Sequence, residues 1–100
     1  MSFGLPEKTI ILLREFFSKY SEIEKVKIYG SRALGNYEPG SDIDFAVYSG
    51  RDLTGRLLTE LDELPVPYLF DVTDYNTLEH LALKKHIDDF AKIFYEKSNN

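Results

Sequence analysis

Asp42 and Asp44 stand two residues apart at the head of the run Ser41-Asp42-Ile43-Asp44-Phe45-Ala46-Val47. Side chains two apart on a β-strand share a face, so these carboxylates could grip the same cations. Magnesium suits such a pair: it takes oxygen ligands, keeps several waters and is held by one or two carboxylates together with substrate phosphates. Upstream, Gly30-Ser31-Arg32-Ala33-Leu34-Gly35 follows the strand-like run Val26-Lys27-Ile28-Tyr29. A glycine there allows a tight turn and close approach of a ligand to the backbone. The N–H groups of a helix start then favour an anionic phosphate, and Arg32 adds a planar cation able to hold two oxygens at once. Ser41 can orient the Asp42 turn or serve as an ordinary loop hydroxyl. Stabilising both the attacking and the leaving oxygens of a phosphoryl transfer takes two metal ions and usually a further carboxylate. Asp71 is the choice for it, and Asp74 the competitor, placed beyond the expected end of the same strand.

Each of these residues has an ordinary structural role as its rival. A lone Asp-x-Asp is more often turn chemistry than a metal site, and it is the preceding Gly-Ser-Arg block that reverses the odds. His80 and His86, six apart on an expected helix, do not share a face at metal-ligand spacing and read as surface or partly packed residues. Lys84 and Lys85 read as a solvated face. Tyr29, Tyr37 and Tyr48 lie near the proposed site and could stack on a base, although tyrosine beside a sheet is more often core rim.

The pattern Gly-Ser-Arg-Ala-x-Gly, a loop, then Ser-Asp-Ile-Asp-Phe-Ala-Val resembles the signature of the minimal nucleotidyltransferases, small relatives of the DNA polymerase β superfamily. The resemblance spans most of the chain. It extends to a third aspartate on a later strand, matched by Asp71, and to a closing helix ending near Ile93-Phe94-Tyr95-Glu96. Two positions depart from it: Leu34, where many relatives have a second arginine, and Ala91, where many have a glycine in the last helix. The resemblance implies a polymerase β-like fold with a small mixed sheet flanked by helices. It further implies two Mg2+ ions on Asp42, Asp44 and Asp71, and ATP as substrate, held by Gly30, Ser31, Arg32 and Ser41. An acceptor hydroxyl would attack the α-phosphorus, and pyrophosphate would leave. Members similar to this chain are often the antitoxin half of a pair whose other half is a HEPN-domain RNase, so the implied acceptor is a tyrosine of a HEPN-type partner. The competing class is a catalytically silent antitoxin or regulatory subunit that binds nucleotide or partner and acts by complex formation.

One hundred residues suffice for a single domain, 1–100, with little mass left for a separate substrate lobe. Hydrophobic content of 43% with 14% aromatics argues for a folded core, with rings to spare for a homo- or hetero-oligomeric interface. A net charge of -5 disfavours capture of a nucleic-acid backbone, so no direct nucleic-acid binding is expected. With no cysteine there is neither a disulfide framework nor a thiolate zinc site. No apolar run approaches the roughly 20 residues that span a bilayer, no signal sequence is evident, and the cytoplasm is the expected location.

These groups are positioned by an expected helix over Pro6–Tyr20, a strand over Ile23–Tyr29 and a short helix over Ser31–Leu34 that Gly35 ends. After the loop Asn36–Gly40 come a strand over Asp42–Tyr48 and a helix over Leu53–Leu64. In that strand Ile43, Phe45 and Val47 form the core side, and Asp42, Asp44, Ala46 and Tyr48 share the other face. Pro65 and Pro67 place a third strand, Tyr68–Val72, at a sheet edge. Asn76 with Glu79 approximates a capping box opening a last helix to about Tyr95, buried along Leu83, Ile87, Phe90 and Phe94. The class is α/β (α+β).

Overall fold

A computed structural model describes residues 2–98. In chain order the elements are α1 (Glu7–Ser18), β1 (Ile23–Tyr29), α2 (Ser31–Leu34), β2 (Ile43–Ser49), α3 (Thr54–Asp62), β3 (Phe70–Asp74), a 3-10 turn (Tyr75–Thr77), α4 (Leu81–Phe90) and β4 (Lys92–Glu96). The strands form one mixed sheet in the order β3-β2-β1-β4. β1 pairs antiparallel with both β2 and β4, whereas β2 and β3 run parallel. A parallel pair needs a crossover, and α3 supplies it, burying Leu57 and Leu61.

Alternation along β2 sends Ile43, Phe45 and Val47 to one face, as expected, where they meet Leu13, Phe16 and Phe17 of α1 and the buried leucines of α3. The rings of Phe17, Phe45 and Phe94 interlock there, Phe45 lying 5.0 Å from each of the other two. The opposite face is also partly covered: Tyr29, Ala46 and Tyr48 pack against Ile87 of α4 in a smaller cluster.

The last segment differs from the expected single helix. α4 ends at Phe90, Ala91 is extended (φ -67°, ψ 149°), and Lys92–Glu96 forms the fourth strand. The Leu83, Ile87, Phe90, Phe94 stripe has helical spacing, but β1 would otherwise have an unpaired edge. The β-branched and aromatic run Ile93-Phe94-Tyr95 suits a strand better than a helix. Phe94 therefore reaches the core from β4, while Phe90 is 51% exposed. Ala91, expected inside the last helix, is instead the hinge between α4 and β4. The expected cap moves too: His80 Nδ1 accepts from the Leu83 N–H at 3.1 Å. Asn76 sits in the 3-10 turn and donates to the Ser49 carbonyl at 2.7 Å. β3 begins two residues later than expected, so Asp74 is its last residue rather than lying beyond it. Among the described residues no helix is long and apolar enough to cross a membrane.

Candidate active site

Strand register assembles the acidic cluster. Tyr29 of β1 is opposite Asp44 of β2, and Asp44 is opposite Asp71 of β3. In-register neighbours share a face, so Tyr29, Asp44 and Asp71 form one row across the end of the sheet, with Asp42 in the loop just before β2. The Asp44 carboxyl is pushed up from 3.8 to about 6, by burial first and then by the charges of Asp71 and Asp42, with the Arg32 cation opposing them in part. Asp44 is half-buried, Asp42 and Asp71 exposed. Tyr29 reaches across β2 to Thr73, their hydroxyls 3.0 Å apart. Its phenol is raised by burial, which the Thr73 hydrogen bond opposes and the charges of Asp71 and Asp44 reinforce.

Asp74 is three residues beyond Asp71, which turns it to the other face of β3. It is buried, and its Oδ2 accepts from the Thr77 N–H at 3.2 Å and the Thr77 hydroxyl at 2.8 Å. It caps the 3-10 turn and takes no part in the row.

The Gly30 turn abuts that row. Gly30 has φ 74° and ψ -154°, a region open essentially to glycine, and a Cβ there would run into Asp44 Oδ2. Glycine is thus required twice over. Its N–H donates to His86 Nε2 at 3.2 Å, and its carbonyl accepts from the Ala33 and Leu34 amides at 3.1 Å each. Ser31 is half-buried at the first position of α2.

Arg32 is 2% exposed, and its donors go to backbone carbonyls. Nε and Nη2 donate to Ser41 O at 3.1 and 2.9 Å. Nη1 donates to Phe3 O at 2.9 Å and Gly4 O at 3.4 Å, and Nη2 also reaches Pro39 O at 3.4 Å. The rings of Tyr37 and Tyr68 lie 5.4 and 5.2 Å from the guanidinium carbon. The side chain fastens the N-terminal turn and the 39–41 loop together, and so fixes how the chain enters Asp42. The Ser41 hydroxyl accepts from the Glu38 N–H at 2.8 Å, closing the same loop.

From the sequence His86 reads only as a surface or partly packed residue. The structure brings its ring to 6.1 Å from Tyr29 and 5.5 Å from Phe90. No spacing in the sequence carries this signal, because it depends on where α4 crosses the sheet. Tyr48 stacks on Tyr75 at 4.4 Å and is buried, and Tyr37 lies by Arg32, so neither tyrosine stands in the acidic row.

Among the described residues no three histidine, aspartate or glutamate side chains converge closely enough to enclose a metal ion unaided. The donor set nevertheless fits a hard divalent cation. Asp42, Asp44 and Asp71 offer oxygen donors only, Asp44 raised to about 6 by burial and then by its acidic neighbours, and a cation there would relieve the repulsion among them. An apolar groove of about 540 Å3 between the start of α1 and residues 65–68 has no carboxylate in its lining and is separate from the row.

Residues 12–100 match the family described as Polymerase beta, Nucleotidyltransferase. No match was found among curated proteins. Among solved structures the chain is similar to a toxin–antitoxin structure with AMP-PNP, with a TM-score of 0.63 and 19% identity, covering 93% of this chain and 76% of that one. It is similar to a mutant of the toxin–antitoxin pair MntA-HpeT carrying two aspartate-to-glutamate changes, with a TM-score of 0.60 and 20% identity, covering 94% and 75%. A protein described as a nucleotidyltransferase from Sulfolobus solfataricus gives 0.55 and 20%, covering 92% and 80%. At these identities the likeness speaks for the fold. The acidic row, its abutting glycine turn and a family match over nearly the whole chain lead to one statement: this chain belongs to the polymerase beta nucleotidyltransferase family.

Proposed function

We propose that the chain transfers a nucleoside monophosphate, AMP first among them, from a magnesium-bound triphosphate to a hydroxyl of a partner protein, as the antitoxin of a toxin–antitoxin pair. The observation that carries this reading is the register of Asp44 opposite Asp71, with Gly30 abutting Asp44 and Asp44 raised to about 6 by burial and by its acidic neighbours. Asp42, Asp44 and Asp71 would hold divalent ions, which when bound supply neutralisation of the charge that develops on the phosphoryl oxygens. Ser31 would orient the phosphates from the start of α2. Arg32 contributes by fixing the Asp42 loop and by its charge near Asp44. Asp71, exposed at the end of the row, would accept the proton of an attacking hydroxyl. The bond formed joins the acceptor oxygen to the α-phosphorus, and the bond broken releases pyrophosphate.

The reading of the partner is supported by the company the fold keeps. Two of the solved neighbours are toxin–antitoxin structures, one with AMP-PNP and one changed at two aspartates. A HEPN-type toxin presenting a tyrosine is the acceptor that fits. With labelled ATP, magnesium and the protein encoded beside this one, label is expected on the partner and is expected to disappear in Asp42→Asn with Asp44→Asn. Absence of label with the parent protein refutes transfer to that partner. Neutralisation that survives the double change assigns the antitoxin effect to complex formation.

A further inference from the structure

We propose that His86 controls phosphate access to the Gly30–Ser31 turn, by occupying the backbone amide that a phosphate oxygen must take. The inference rests on the function proposed above. Gly30 has a single N–H, and it is given to His86 Nε2 at 3.2 Å. One N–H makes one good hydrogen bond, so imidazole and phosphate exclude each other at this atom. An accepting Nε2 carries no proton, so the ring is the tautomer protonated at Nδ1. Tyr29 and Phe90 hold that ring edge-on and tilted at the end of the acidic row.

The element that carries His86 is lightly held. Ile87 is the only residue of α4 that is fully buried, while Leu81 is 80% exposed and Phe90 51%. A helix with so little buried apolar contact can yield at small cost. The chain thus closes its own phosphate turn with a side chain drawn from a loosely packed helix, and a nucleotide must outcompete an internal ligand before it can bind.

The test compares the binding of magnesium and a non-hydrolysable ATP analogue by calorimetry in the parent and three variants. His86→Ala and His86→Phe both remove the acceptor, the second keeping a ring against Tyr29 and Phe90. His86→Gln restores a carbonyl acceptor. Removing a competitor of ordinary hydrogen-bond strength should tighten binding about three- to tenfold in the first two variants, with His86→Gln close to the parent. In labelled parent protein the Gly30 amide and the His86 ring nitrogen should shift at the same midpoint. Equal or weaker binding in both acceptor-free variants, or a Gly30 shift without a His86 shift, overturns the inference and leaves the proposed function standing. No binding in any of the four proteins overturns the proposed function, and this inference with it.

Discussion

The two faces of the sheet are built on opposite principles. Toward α1 and α3, Ile43, Phe45, Val47, Val72 and Phe94 meet Leu13, Phe17, Leu57 and Leu61 in a dry, interlocked core. Toward α4 the rows run Tyr29, Asp44, Asp71 and then Lys27, Ala46, Thr73, and the buried cluster is small. Removing apolar surface from water stabilises the first face. The second face keeps Asp44 half out of water and close to the carboxylates of Asp42 and Asp71, which costs stability. The lesson is a division of labour within a single strand: alternate residues of β2 hold the fold together and carry the charge that the site requires.

The comparison breaks first if the apolar face is not the stronger one. Phe45→Ala should cost about 4 kcal/mol and Ile87→Ala, in the smaller cluster under α4, about 2 kcal/mol; urea unfolding curves measure both, and equal losses would erase the distinction. Next in size is Arg32→Lys. An ammonium keeps the charge but cannot span the carbonyls of Phe3, Gly4, Pro39 and Ser41, so a loss of about 2 kcal/mol is expected by the same measurement. No loss would return Arg32 to the role of a free cation.

The smallest effect has the opposite sign. Asp44 has its folded-state pKa raised from 3.8 to about 6, so its neutral form favours the fold. That contribution is fully present below about pH 4 and is lost as the pH rises through about 6. Without divalent cation, Asp44→Asn should therefore gain on the parent across this window and be more stable at pH 7 by about 1 kcal/mol, well under the full value of the shift because the carboxyl is half exposed to solvent. Thermal melts of both proteins at pH 4 and pH 7 decide it. Magnesium should then raise the melting temperature of the parent and leave the variant nearly unchanged.

Much of this was legible in the chain. Ile23–Tyr29 and Ser31–Leu34 emerge with the bounds their residues suggested, because a β-branched run followed by Gly30 and closed by Gly35 is unambiguous local chemistry. The alternation of β2 likewise announced which of its residues would face the core. The closing segment was misread, since Leu83, Ile87, Phe90 and Phe94 satisfy a helical period and the vacant edge of β1 that captures Lys92–Glu96 is not visible in a local window. The sequence reads Arg32 as a phosphate ligand, whereas in the structure its donors go to the carbonyls of Pro39 and Ser41 and, far upstream, of Phe3 and Gly4.

The order of residues alone determined the donor types, the glycine that no side chain can replace, and the two-residue period that puts Asp44 opposite to the core. Tertiary structure decided which carboxylate joins it, choosing Asp71 and turning Asp74 away, because strand register is a pairing between distant segments. It also decided that an imidazole from α4 takes the Gly30 amide, since a hydrogen bond across 56 positions exists only once both ends are packed.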